Sequence, residues 1–169
     1  MLARTMASGA VGLHLGGLRS ARMVALAVPA LLLGGALLSQ YLGGLYPCEM
    51  CIWQRWPHGA AILLALTALA SPIEAPRTRP LTLLAALAIA VSGAIGLFHA
   101  GVEYKLWEGI TTCTTSGATS LQDILSVPLV RCDQVQWSLL GISLAGFNAI
   151  FSLGGAALVT WLALRRTAR

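Results

Sequence analysis

Long uncharged apolar runs, separated by short clusters of charged, Pro and Gly residues, set the pattern of this chain. Met23 to Leu42 is a run of twenty residues without a charge, flanked by Arg19 and Arg22. That is the length a helix needs to cross about 30 Å of hydrocarbon. A basic start before an apolar run also describes a signal peptide, but this run is too long for one and three more follow, so it is read as the first span. The next run, Gly59 to Ala70, is too short to cross alone. It becomes long enough if its helix begins near Cys51 or Ile52, which takes Gln54, Arg55 and His58 into the first turns and leaves Pro57 early, where a missing N–H costs least. Arg55 then falls at the membrane interface. A third run, Leu81 to Phe98, opens after Pro80 and ends at His99, and a fourth, Leu139 to Leu164, closes on Arg165, Arg166 and Arg169. The expected fold is all-α: a single transmembrane four-helix bundle over residues 23–169, behind a short cytoplasmic tail over 1–22. Its spans are expected at about 23–42, 52–71, 81–99 and 139–164. The loops at 43–51 and 100–138 lie on the other side of the membrane from the tail, the second being long and joining helices 3 and 4.

Composition supports this pattern. The chain has 169 residues, 57% hydrophobic and only 10% charged, and a mean hydropathy of +0.77. A soluble domain carries about 25% charged residues. The net charge of +5 comes from basic residues at the edges of apolar runs; they form no patch among aromatics, so nucleic acid is not an expected partner. Arg4, Arg19, Arg22, Arg77, Arg79, Arg165, Arg166 and Arg169 share one side of the bundle, whereas Arg55, Lys105 and Arg131 share the other with five of the six acids. Basic residues are retained in the cytoplasm. Both termini are therefore expected there, with Cys48, Cys51, Cys113 and Cys132 outside. Trp53, Trp56, Trp107 and Trp137 fall near the outer interface, as an aromatic belt would.

The chemistry concentrates in Tyr46-Pro-Cys-Glu-Met-Cys-Ile-Trp-Gln-Arg-Trp-Pro-His58. Two cysteines separated by two residues close a readily reduced disulfide or supply half of a zinc site. Outside the cytosol the redox reading is favoured. Arg55, four residues after Cys51, faces the same way on a helix and is placed to stabilise a Cys51 thiolate, as is the helix N-terminus; the plainer alternative is an interfacial arginine reaching for head groups. His99 is a candidate proton donor or hydrogen-bond partner for a bound carbonyl compound, or an interface histidine without a role; His58 and Glu103 are candidates of the same kind. Asn148, among small residues of the fourth run, reads as a helix-to-helix hydrogen bond. No metal cage, phosphate loop or hydrolytic triad is evident. Residues 121–130 are amphipathic enough for a short helix on the membrane surface. Cys113 and Cys132 either tie the long loop as a structural disulfide or, beside a second redox-capable pair, form a relay of thiol–disulfide exchange from an outside protein to a membrane acceptor.

Three blocks resemble the disulfide bond formation protein B (DsbB) family of bacterial inner-membrane thiol:quinone oxidoreductases. They are Tyr46-Pro-Cys-Glu-Met-Cys-Ile-Trp-Gln-Arg55, Phe98-His-Ala-Gly-Val-Glu-Tyr104, and Cys132-Asp-Gln-Val-Gln-Trp137 with Leu140-Gly-Ile-Ser-Leu-Ala-Gly-Phe-Asn148. The resemblance implies a four-helix enzyme that reoxidises a periplasmic thioredoxin-fold oxidase of the DsbA type and passes the electrons to ubiquinone or menaquinone. Cys113 would form the mixed disulfide with the partner and Cys132 would be its mate. Cys48 and Cys51 would be the quinone-coupled pair, with the Cys51 thiolate beside the ring and Arg55 stabilising both. His99 would be a quinone-site histidine, and no metal is implied. Two alternatives remain at this point: a vitamin K epoxide reductase-like protein, in which the quinone-side cysteine motif comes late in the chain and not early, and a non-enzymatic membrane scaffold or metal-binding protein.

Overall fold

A computed structural model describes residues 2–110 and 130–165, with side chains from residue 17 onward. Among these residues there are four long helices: α1 (Leu2–Tyr41), α2 (Glu49–Ala70), α3 (Thr78–Glu103) and α4 (Leu144–Leu164). Helix α3 packs along α2 and α4, and α1 packs along the same two with little contact to α3. Going round the bundle the order is therefore α1, α2, α3, α4.

The helices bury small residues and turn their leucines outward. On α2 the buried positions are Met50, Gln54, His58, Ala61, Ala65 and Ala68, a stripe at steps of three and four. Leu63 and Leu66 of the same helix are exposed. Buried positions on α3 and α4 include Ala85, Ser92, Gly93 and Gly96, and Ala145, Ala149, Ser152 and Gly155. This is the composition of helices that meet in lipid, where hydrocarbon solvates leucine and close backbone approach supplies the packing energy. A Cβ placed on Gly93 would lie 2.9 Å from the Ser152 Cβ and from Leu153. Glycine is what lets α3 and α4 touch there.

Gly17–Tyr41 of α1, α3 and α4 are each long and apolar enough to cross a membrane. Helix α2 is 22 residues long, but its first turns carry Glu49, Gln54, Arg55 and His58. The chain is a helical, multi-pass membrane protein.

Three expectations about boundaries change. The chain is helical from Leu2, so residue 23 is not where the first helix begins; no proline interrupts it before Pro29. Helix α3 starts at Thr78, with Pro80 inside its first turn. The fourth helix begins at Leu144 and not at Leu139, because 138–143 form a hairpin in which β1 (Ser138–Leu139) pairs antiparallel with β2 (Ile142–Ser143). Leu140 and Gly141 make the two-residue turn, both at positive φ (53° and 79°), as a primed hairpin turn requires. The Tyr104 hydroxyl donates to the Gly141 carbonyl and accepts from the Ser143 N–H, which pins the hairpin to the end of α3. Residues 111–129, which hold Cys113 and the surface helix expected at 121–130 except for Val130, lie outside the described residues.

Candidate functional site: a thiol cluster on a buried polar chain

Cys48 is the N-cap of α2, and its Sγ accepts the Cys51 N–H at 3.2 Å. The cap brings the two sulfurs of this pair to 2.7 Å as free thiols. Cys132 arrives from the segment before the hairpin and is buried against Cys48, Met50 and Val102. Three of the four cysteines singled out in the sequence thus meet at one end of the bundle.

Hydrogen bonds from Cys132 and then Cys51, reinforced by burial, push the Cys48 thiol far above the ordinary thiol range. Cys51, in the first turn and ahead of the span expected at 52–71, is pushed the other way by its hydrogen bond to Cys48. The thiolate of the pair therefore belongs to Cys51. The segment after Cys132 is fastened outside this cluster by Asp133, which accepts from Lys105 Nζ at 2.7 Å and from Arg131 at 2.8 Å.

His99, 2% exposed, faces this pair: its Nε2 is 3.5 Å from Cys48 Sγ. The network behind it fixes its tautomer. Gln54 donates one amide hydrogen to the Met50 carbonyl at 3.0 Å and the other to His99 Nδ1 at 2.9 Å, while its Oε1 accepts from Asn148 Nδ2 at 2.7 Å. With Nδ1 accepting, the neutral imidazole carries its proton on Nε2, toward sulfur. Cys48, Cys51 and His99 also have metal-like spacing, their ligand atoms lying within 4.8 Å of one another. A metal-bound histidine, however, donates its second N–H to an acceptor; here that nitrogen faces an amide donor, an arrangement suited to thiol chemistry.

The chain of polar groups continues into the bundle. Asn148 Oδ1 accepts from His58 Nε2 at 2.9 Å and from Ser152 Oγ at 2.8 Å, and Asn148 Nδ2 also reaches the Ser92 carbonyl at 3.1 Å. Ser92 Oγ donates to the Gln54 carbonyl at 2.8 Å. Asn148 therefore ties α4 to both α2 and α3, as the sequence suggested. Gln54 and Ser92 were not singled out as site residues. Their signal was polarity inside otherwise apolar runs: Gln54 stands four residues before His58, and Ser92 in the middle of the run from Leu81 to Phe98.

A cavity of about 270 Å³ opens beside this wall. Leu31, Leu32 and Ala36 of α1 line one side of it, and Cys48, Cys51, Gln54, Arg55, His58 and His99 line another. Arg55 does not contact Cys51 in the manner its spacing suggested. Its guanidinium donates to Gln40 Oε1 at 2.5 Å and to the Ala36 carbonyl at 3.4 Å, both on α1, because the side chain leans across the cavity. Arg55 Nε and His58 Nδ1 are buried without a hydrogen-bond partner. His99 lines the cavity as well, and its ring nitrogens meet Gln54, Cys48, Glu103 and the Cys132 backbone.

Thiols at the end of an apolar bundle, opening on a cavity with an apolar wall, define a membrane thiol–disulfide protein. A profile of the family described as "Disulfide bond formation protein DsbB" matches residues 18–162. The disulfide bond formation protein B of Stutzerimonas stutzeri (strain A1501) is 28% identical over 157 residues, covering 88% of this chain and 96% of that protein. Those of Aromatoleum aromaticum and Chromohalobacter salexigens are 31% and 32% identical, covering 73% and 75% of this chain and 79% and 78% of theirs. No solved structure matches the chain. The chain belongs to the DsbB family and is a disulfide bond formation membrane protein.

Proposed function

We propose that the protein is a dithiol:quinone oxidoreductase of the bacterial inner membrane, with both termini cytoplasmic and its cysteines periplasmic, that reoxidises a thioredoxin-fold oxidase of the DsbA type. The observation that carries this reading is the burial of Cys132 against Cys48, beside Cys51 and the cavity. A thiolate of the partner attacks Cys113 of a Cys113–Cys132 disulfide and releases Cys132. Cys132 attacks Cys48 of the Cys48–Cys51 disulfide; a Cys48–Cys132 bond forms, and the electron pair leaves on Cys51. The partner's second thiol resolves the mixed disulfide and departs oxidised.

The cavity suits a quinone, ubiquinone or menaquinone. Its leucines offer an apolar wall, and Arg55 Nε and His58 Nδ1 are buried polar atoms in want of a partner. When bound there, a quinone supplies the two-electron acceptor. Arg55, Cys51 and, from the thiol side, His99 hold it in this reading. Bundle-end burial keeps water from the thiolate, and the Cys48 cap keeps Cys51 at the head of α2, where the helix dipole favours negative charge.

The test is reduction of a soluble quinone by the purified protein with a reduced thioredoxin-fold donor. The expected result is turnover that Cys51→Ser or Cys113→Ser abolishes. Unchanged turnover in either variant overturns the relay, and stoichiometric zinc on four unoxidised cysteines overturns the redox reading altogether.

A further inference from the structure

The quinone and disulfide reading leaves one buried carboxylate unexplained. Glu103, at the end of α3, has a side chain only 7% exposed and sits 3.8 Å by its Oε1 from His99 Nε2. Its Oε2 accepts from the Ser143 hydroxyl, which in turn caps α4 by accepting the Gly146 N–H at 3.1 Å. Among the described residues no arginine or lysine forms an ion pair with it: Lys105 and Arg131 meet Asp133, and Arg55 meets α1. The groups that face Glu103 are His99 on its own helix, Ser143 at the start of α4, and Cys51 and Cys132, whose charges are felt at the carboxylate. Burying a carboxylate without a cation is costly unless its charge or its proton is used.

Resting on the thiol-relay reading, we propose that Glu103, acting with the His99 Nε2–H between it and Cys48, is the base that takes the proton from Cys132 as Cys132 attacks the Cys48–Cys51 disulfide. The step balances. Cys132–SH, the Cys48–Cys51 disulfide and the Glu103 carboxylate become the Cys48–Cys132 disulfide, a Cys51 thiolate and a protonated Glu103. Cys132 sulfur is oxidised, Cys51 sulfur is reduced, and the proton moves within the site. One negative charge is present before the step and one after, transferred from Glu103 to Cys51. In a low-dielectric pocket two adjacent negative charges disfavour each other. Protonating Glu103 removes the carboxylate that opposes the Cys51 thiolate at the moment that thiolate forms. His99 is held for this part by Gln54, which keeps its proton on the nitrogen facing sulfur and carboxylate.

The experiment follows Cys51 without quinone. Protein in nanodiscs, with both disulfides formed, is mixed with a reduced thioredoxin-fold donor, quenched with an alkylating agent and mapped by mass spectrometry for the newly freed Cys51. In Glu103→Gln the expected appearance of Cys51 is slowed on the order of 100-fold at neutral pH, the scale of a lost general base. It recovers toward the unsubstituted rate as pH rises and Cys132 ionises unaided. Glu103→Asp, which keeps a carboxylate, retains more of the neutral-pH rate than Glu103→Gln. An unaltered rate in Glu103→Gln, a slowing of equal size at every pH, or equal losses in the two variants overturns the proposal. Reduction of the unsubstituted Cys48–Cys51 pair by a small dithiol, followed by quinone turnover, separates the two readings: its absence sinks the oxidoreductase reading and its presence leaves Glu103 to be judged by the pH profile.

Discussion

Asn148→Ala removes the hub of the polar chain without adding bulk. The side chain exchanges hydrogen bonds with four residues, accepting from His58 and Ser152 and donating to Gln54 and Ser92. Interhelical hydrogen bonds inside membrane bundles average about 0.6 kcal/mol each, with a maximum near 1.7. Three of the four cross between helices, the Ser152 bond lying within α4, and together give about 2 kcal/mol, a figure raised if Gln54 Oε1 stays buried without a partner. Reversible unfolding in bicelles should therefore show a loss of about 2 kcal/mol. A double-mutant cycle with His58→Phe should show coupling of about 0.5 kcal/mol or more, since the two side chains share one bond. The same substitution frees the Gln54 amide, so His99 should lose its fixed tautomer, visible as a change in its ring-nitrogen chemical shifts. A loss below about 0.5 kcal/mol with no coupling to His58 would refute the claim that this chain of polar residues holds α4 against α2 and α3.

Further outcomes follow from the same geometry. In the fully reduced protein Cys51 should be alkylated well before Cys48 near neutral pH, because its thiolate forms below the ordinary thiol range and Cys48 is held above it; faster labelling of Cys48 would reverse the assignment. Gly93→Val should destabilise the bundle by about 1–3 kcal/mol through overpacking against Ser152 and Leu153, measured by the same unfolding assay, whereas Gly154→Ala, whose Cβ meets nothing within 4 Å, should be near neutral. Asp133 is held below the usual carboxylate range, first by Arg131 and then by Lys105. A depressed folded value means its contribution is present above the unfolded value, near 3.9, and is lost as pH falls through the folded one. Protease sensitivity of the segment around 131–137 should accordingly rise below about pH 4, and Lys105→Met should move that onset upward; an onset that ignores the substitution would show that the ion pair does not fasten the segment.

Much of the bundle was legible because lipid imposes a length on every span and charge marks every end. What was lost were features set by a few atoms. The start of α4 was misplaced because Leu140 adopts a left-handed conformation that apolar residues rarely take, so an apolar run concealed a hairpin. Arg55 was expected on Cys51 because four residues along a helix share a face; the spacing is right, but a long side chain reaches beyond its own helix, and Gln40 on α1 offers a good acceptor. That Cys48 and Cys51 meet was legible, since residues three apart share a face over one helical turn. Gln54 and Ser92 were not, because one amide or one hydroxyl in a span is ordinary until its partners on other helices are known.

Why the thiols sit at the head of α2, and not deeper among the leucines, follows from charge. Disulfide exchange must create a thiolate, and a thiolate in hydrocarbon is prohibitive unless its charge is balanced or moved. At the first turn of α2 the free backbone N–H groups and the helix dipole favour an anion, and the Cys48 cap supplies a neutral thiol as donor. Deeper in the helix the same stripe carries Gln54 and His58, whose hydrogen bonds are spent on Asn148 and Ser92. These residues support no charge of their own; they hold His99 so that its proton meets sulfur. The position of the thiol pair is thus the shallowest turn at which a thiolate is stabilised by the helix and still opens on a cavity with an apolar wall. Moving the pair one turn inward, to positions 52 and 55, should therefore abolish selective thiolate formation even in a protein that folds. Preferential labelling of position 55 over position 52 at neutral pH, retained in the transplanted pair, would show that the helix terminus is not what selects Cys51.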